Sequence, residues 1–342
     1  MLLKSKFSVF FLLILYWQID YAQFDKTVYL NHLTTNPDTD FYHLKNHGGM
    51  EQNSITHITQ DSIGQMWFAT KNGVVRYDSK KFYEYKNNPK NERSIGGNFV
   101  ERVFVAKNGS IWIGTEPAVL SKYNSNTDDF ETIKGISGSR IKDIIQDETG
   151  LFWITSDENL YSYNDVTKEL KIYTYKKNIA FDRLLNYENH IYITTNEAYV
   201  LDFDINNKTF KEIMIIPKKD SVGSRVTAQH GACVLTKDST GYLWFSSSYG
   251  YLIRYNPKNK ERTKFIFENK WITNRLTVMF IFEDNKQNLW FGTWFNGLYK
   301  ISPNRTEIIR FMPNQDNLYS FSNTIAHSGF QDKAGYLWFG TE

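Results

Sequence analysis

ITHITQDSIGQMWFATKNGVVRYDSKKFYEY, residues 55–85, reads as four short strands packed into one compact stretch. An apolar run holding Ile55 and Ile58 stops at Asp61, a turn with Gly64 follows, and Met66, Trp67 and Phe68 resume strand-forming chemistry. Ala69 and Thr70 lead into a turn at Lys71, Asn72 and Gly73. A strand over 74–77, a turn at Asp78 and Ser79, and a last strand over 82–85 complete the unit. Strands this short, joined by turns this tight, make a single four-stranded antiparallel meander.

The centre of that stretch recurs. MWFAT at 66–70 is followed by IWIGT at 111–115, FWITS at 152–156, LWFSS at 243–247, LWFGT at 289–293 and LWFGT at 337–341. A degenerate copy, IYITT at 191–195, fills the one large gap. The aromatic anchors are Trp67, Trp112, Trp153, Tyr192, Trp244, Trp290 and Trp338, spaced 45, 41, 39, 52, 46 and 48 residues apart. Six of the nine tryptophans occupy this one repeat position. A strand-rich period of this length is the signature of a β-propeller. The expectation is an all-β propeller of about seven blades over residues 41–342, each blade a four-stranded antiparallel sheet and the last one incomplete.

The punctuation repeats too. An aspartate stands six residues before the anchor at Asp61, Asp147, Asp238, Asp284 and Asp332, and a glycine three before it at Gly64, Gly109, Gly150, Gly241 and Gly335. That pairing suits a hairpin, with an acceptor for loose backbone donors and then a residue that tolerates positive φ. The third strand recurs as VVRYD (74–78), LSKYN (120–124), LYSYN (160–164), LIRYN (252–256) and LYKIS (298–302). A small residue two after the anchor (Ala69, Gly114, Thr155, Thr194, Ser246, Gly292, Gly340) predicts close approach of neighbouring sheets. A tryptophan repeated in nearly every blade reads as a wedge between blades and not as a sugar platform, because each blade must bury its face on the next.

Composition agrees with a globular body: 342 residues, 16% aromatic and 23% charged, with a formal charge of +3. No basic stripe with interleaved aromatics runs through the chain, which argues against nucleic-acid binding. Residues 1–22 read as a secretory signal peptide: Lys4 and Lys6 precede an apolar run over 7–17 that is too short for a stable membrane span, with cleavage expected after Ala22 and an uncleaved membrane anchor as the alternative reading. Residues 23–40 are then a lead-in, and no later stretch is long and apolar enough to span a membrane. The single cysteine, Cys233, cannot form an internal disulfide and reads as a small buried hydrophobe. The sequence stops at Glu342, before the third strand of the seventh repeat, as a truncated product or fragment would. FYHL at 41–44 is expected to supply that blade's outer strand.

The consensus Q-D-x-x-G-x-Leu-Trp-Phe-Gly-Thr, followed by G-L-x-x-Tyr, resembles the two-component regulator propeller repeat. The opening stretch over 41–78 is similar to the start of the exported sensor region of hybrid two-component histidine kinases from Bacteroidetes-type bacteria, and NNPKNERSIGGNFVERVFV at 87–105 is similar to the usual join between the first two blades. The resemblance implies a periplasmic sensing module with no catalysis of its own. It implies an oligosaccharide ligand, control of polysaccharide-utilisation genes, and a second propeller, membrane helix and kinase outside this chain, or a homodimer partner. Two other readings stay open: a stand-alone secreted scaffold, and a propeller enzyme acting on polysaccharide.

No catalytic, metal or cofactor site is expected. The seven histidines lack metal-ligand spacing, acidic pairs such as Asp128 with Asp129 lie in turns, and nucleophile-elbow, phosphate-loop and zinc-protease motifs are missing. Candidate binding residues are those that break the repeat. Trp294, Phe295 and Asn296 replace the Lys71, Asn72 and Gly73 turn of the first blade, and two adjacent aromatics in a loop suit sugar stacking. Tyr249 occupies the matching loop of blade five; Arg225 and His230 precede that blade, and Arg275 precedes blade six. Arginine beside aromatics would fit an acidic oligosaccharide.

Overall fold

The computed structural model describes residues 24–37, 39–44, 54–157, 159–175, 179–196, 199–215, 235–246, 251–267 and 277–342. The signal-peptide segment and Cys233 lie outside the described residues. Twenty-seven strands make up the described regular structure. After β1 (Lys26–Thr35), each of the first six blades takes four consecutive strands. Blade one is β2 (Ile55–Gln60), β3 (Met66–Thr70), β4 (Gly73–Tyr77) and β5 (Phe82–Tyr85). Blade two is β6–β9, starting with β6 (Phe99–Val105) and β7 (Ile111–Glu116). Blades three to five follow as β10–β13 over residues 141–174, β14–β17 over 181–215 and β18–β21 over 235–267. Blade six begins with β22 (Val278–Glu283) and β23 (Leu289–Thr293) and ends with β24 (Leu298–Ile301) and β25 (Glu307–Phe311). Blade seven has two strands, β26 (Ala326–Gln331) and β27 (Leu337–Thr341). The first strands of all seven blades stand side by side in a ring, and β26 closes it against β2.

The anchors do what their recurrence predicts. Trp67, Trp112, Trp153 and Trp244 are fully buried. Four anchors meet a ring of the next blade: Trp67 meets Tyr123 at 5.0 Å, Trp112 meets Phe152 at 4.4 Å, Trp153 meets Phe203 at 5.5 Å and Trp290 meets Phe339 at 5.3 Å between ring centroids. The small residue beyond the anchor is required by that contact. A Cβ on Gly114 would come within 2.6 Å of Ile141 of blade three, and one on Gly340 within 2.7 Å of Ile55 of blade one.

The repeated aspartate does more than brace a turn. In five blades its second carboxylate oxygen accepts the anchor's indole N–H, at 2.7–3.0 Å for Asp61, Asp147, Asp238, Asp284 and Asp332. The first oxygen takes backbone amides of the same turn. A buried indole N–H would otherwise be left unpaired. Blade two has Ala106 at this position, and Trp112 donates instead to Ser110 Oγ at 2.9 Å. A cation from the third strand covers the anchor's other face: Arg76 over Trp67, Lys122 over Trp112, Arg254 over Trp244 and Lys300 over Trp290. Blade four is degenerate only in sequence. Tyr192 stands in for tryptophan opposite Asp202, and the four strands pair in full.

Two expectations are corrected. The lead-in is not a simple lead-in: β1 runs parallel to the outer strand of blade five, β21 (Arg262–Phe267), and then to that of blade six, β25. It fuses the two blades into one nine-stranded sheet, with Leu30 fully buried near the switch. Residues 41–44 form no strand and do not complete blade seven. Phe41 instead hydrogen-bonds through its amide to the Tyr319 carbonyl at 2.7 Å and inserts its ring among Phe311, Phe321 and Phe339. An aromatic plug at that position gains more by filling a hole in the core than by extending a sheet.

Candidate functional site

Chain direction fixes which predicted residues can meet. The loops between the second and third strands lie at the end of the ring where each inner strand begins. The hairpins between first and second strands lie at the other end. Trp294, Phe295 and Asn296 form the second-to-third-strand loop of blade six, equivalent to Lys71, Asn72 and Gly73 of blade one. Tyr249, Arg225, His230 and Arg275 lie outside the described residues.

The blade-six loop is held rigidly. The Trp294 amide donates to the Thr277 carbonyl at 2.9 Å, the Asn296 amide to Thr293 Oγ1 at 3.0 Å, and the Gly297 amide to the Thr324 carbonyl of blade seven at 2.7 Å. Arg310 clamps Asn296 twice, through Nε to its carbonyl at 3.0 Å and through a terminal nitrogen to its side-chain oxygen at 3.1 Å. Asn296 is thus a support and its side chain is engaged. Between these fixed points Trp294 is 36% and Phe295 63% exposed, their rings edge to face at 5.7 Å. Phe295 has φ of 78°, a left-handed conformation that is costly for a bulky residue and marks a constrained, outward-pointing side chain.

Trp294 also meets the imidazole of His327, on β26, at 5.2 Å. His327 hydrogen-bonds Glu342, whose carboxylate also pairs with Lys71 of blade one. The Lys71 hydrogen bond first and His327 second hold the Glu342 carboxyl down at about 2, against the opposing effect of partial burial. Blades six, seven and one therefore present an aromatic pair, an imidazole and a carboxylate–ammonium pair on one face.

A second constellation on the inner strands escaped the sequence reading. Each inner strand whose start is described bulges at its first or second residue pair. The residues there change from blade to blade: His57, Arg102, Asp143 and Asp182 stand ten before their anchors, with Arg183 following. Arg102 Nε meets Asp143 Oδ1 at 2.6 Å, and the fully buried Asp143 carboxylate accepts the Ile144 and Leu184 amides at 2.8 and 2.9 Å. Arg140 bridges Glu101 and Glu116 at 3.1 and 3.0 Å. The Nδ1 of His57 is buried without a hydrogen-bond partner. Burial, followed by the charges of Arg102 and Arg183, holds the His57 imidazole well below its ordinary pKa, so it is neutral. The signal was present in the sequence as a column of unlike polar residues at a fixed distance from the anchors. Among the described residues, no group of three or more His, Cys, Asp or Glu is placed to hold a metal ion.

Comparison with known proteins agrees with this architecture. Residues 49–72 match the family model for the two component regulator propeller. The chain is 28% identical to histidine kinase P4 of Formosa agariphila over 86% of its own length and 36% of that protein, so it spans little more than a third of this relative. The extracellular domain of a putative hybrid two component system from B. thetaiotaomicron superposes with a TM-score of 0.72 at 22% identity, covering 88% of this chain and 40% of that one. Virginiamycin B lyase from Staphylococcus aureus superposes at 0.65 and 17% identity, covering 84% and 92%, which shows that the fold by itself carries both binding and catalytic proteins. The repeat in the sequence, the match over residues 49–72 and the propeller fold together make this chain similar to two-component regulator propeller proteins.

Proposed function

We propose that the chain is the extracytoplasmic ligand-sensing propeller of a two-component signalling protein, and that it recognises an oligosaccharide on the face carrying Trp294. The likeness to a histidine kinase and to extracellular domains of two-component systems supports the sensing role. Export, a signal peptide over residues 1–22 and control of polysaccharide utilisation belong to the same proposal. The observation that carries the ligand is the rigidly clamped, exposed pair Trp294 and Phe295 beside His327, Glu342 and Lys71. An aromatic face flanked by polar groups is what a pyranose ring needs, with stacking for its C–H face and hydrogen bonds for its hydroxyls.

The test is titration calorimetry of the purified chain against defined neutral and uronic-acid oligosaccharides, with Trp294→Ala in parallel. Binding by the wild type, and at least tenfold weaker binding by a variant of unchanged melting temperature, is expected. Equal binding by the two proteins removes this face from the proposal. For the signalling role, deleting the gene in its host should abolish induction of polysaccharide-degrading enzymes by the same oligosaccharide. Unaltered induction would count against it.

A further inference from the structure

The opposite face carries a feature that the repeat explains by its failure. At three interfaces a glutamine at the end of an inner strand staples two blades. It donates to the glycine carbonyl of its own hairpin and accepts an amide from the preceding blade's hairpin. Gln60 takes the Lys333 amide at 2.9 Å, Gln146 takes that of Lys107 at 2.9 Å, and Gln331 takes that of Asn285 at 2.7 Å. At two of these interfaces a lysine ammonium also crosses: Lys333 reaches the Asp61 and Ser62 carbonyls, and Lys107 reaches the Asp147 carbonyl.

Between blades one and two all three devices are replaced. The staple position is Val105, the lysine position is Ser62, and the aspartate position is Ala106. A cleft of about 650 Å³ opens there, lined by the hairpins at Asp61–Gln65 and 108–110 and by Arg76, Lys122, Tyr123 and Glu131. That volume falls within the range of about 300–1,000 Å³ typical of small-molecule sites.

The lining selects a ligand class. Arg76 faces Asp128 at 3.4 Å, and Lys122 pairs with Asp165 at 2.6 Å, so both cations are already balanced by carboxylates. Asp61 is engaged by Trp67 and its own turn, while Glu131 is exposed. No surplus positive charge remains to hold an anion. What remains is a buried donor without a partner, Arg76 Nε, and a rim of hydroxyl, amide and carboxylate groups from Ser62, Gln65, Asn124 and Glu131. We propose that this cleft is a binding site for a neutral, hydroxyl-rich small molecule of mono- or disaccharide size. It is separate from the Trp294 face, at the other end of the ring.

The test uses the full chain and six free sugars: glucose, galactose, mannose, xylose, maltose and cellobiose. Saturation-transfer NMR detects contact and calorimetry measures affinity. At least one sugar should bind saturably below about 10 mM, an ordinary range for a shallow site. Val105→Gln/Ala106→Asp restores the staple and the indole acceptor; it should weaken that binding at least tenfold while holding or raising the melting temperature. Ser62→Lys, a change on an exposed turn, provides a second closure should the double variant not fold. Glu131→Gln should weaken binding, and Trp294→Ala should leave it unchanged. The proposal is overturned if none of the six sugars saturates the wild type, or if binding survives both closures intact. Loss of binding in Trp294→Ala alone would also overturn it, by assigning the sugar to the other face.

Discussion

Trp290 and Trp294 stand four residues apart in the same blade and have opposite fates. Trp290 lies in β23, 5% exposed, with its indole N–H on Asp284, Phe311 stacked at 5.6 Å and Phe339 of the next blade against it. Trp294 lies just past the strand, with no aspartate partner, a protein ring contact on an edge and a face toward solvent. The lesson is that residue type says little in a propeller, whereas phase within the repeat says a great deal. In this blade the tryptophan in phase is buried, and the one out of phase keeps a face toward solvent.

The comparison breaks first on stability. Trp290→Ala should cost about 3–5 kcal/mol, the usual penalty for emptying a buried aromatic site, read by chemical denaturation. A cost equal to that of Trp294→Ala would mean that the anchor is not a wedge. Asp284→Ala should cost about 1–3 kcal/mol, because the buried Trp290 N–H and the turn amides lose their acceptor. Trp338, the anchor of the two-stranded blade, is only partly buried, so Trp338→Ala should cost about 1–2 kcal/mol, less than Trp290→Ala.

A subtler effect is pH dependence. Burial raises the pKa of Asp238, but the Thr240 hydroxyl, the Trp244 indole, the Tyr242 amide and Arg254 outweigh it and hold the carboxyl below its ordinary value. A depressed pKa in the folded state contributes stability that is present above the unfolded value of about 3.9 and is lost as pH falls through the folded one. Denaturation midpoints between pH 7 and pH 2 should therefore drop more steeply for the wild type than for Asp238→Asn. Parallel curves would show that the aspartate is not ionised against its indole. The smallest change in stability is expected at Trp294→Ala, within about 0.5 kcal/mol, as for a surface substitution, while oligosaccharide binding weakens.

Much of this was legible in the residues. The spacing of seven anchors fixed the blade count, because a wedge recurs once per blade, and the glycine two beyond the anchor announced sheet contact that Gly114 and Gly340 make. Of the site, the exposed pair at Trp294 and Phe295 was visible as a break in the repeat. The clamp by Arg310 was not, since it depends on a strand register that no local pattern states.

The sequence by itself determined everything that repeats: the strands, the turns and the aspartate beside five of the tryptophan anchors. Tertiary structure alone decided what happens once. It placed β1 across the outer strands of two blades, turned 41–44 from an expected strand into an aromatic plug, and brought His57, Arg102 and Asp143 into one belt. It also opened a cleft between the hairpins that carry Ser62 and Gly109. The physical reason is range. Periodic burial and turn chemistry act between near neighbours in the chain and leave a signal at a fixed interval, whereas ring closure joins residues hundreds of positions apart, where only packing in three dimensions selects the partner.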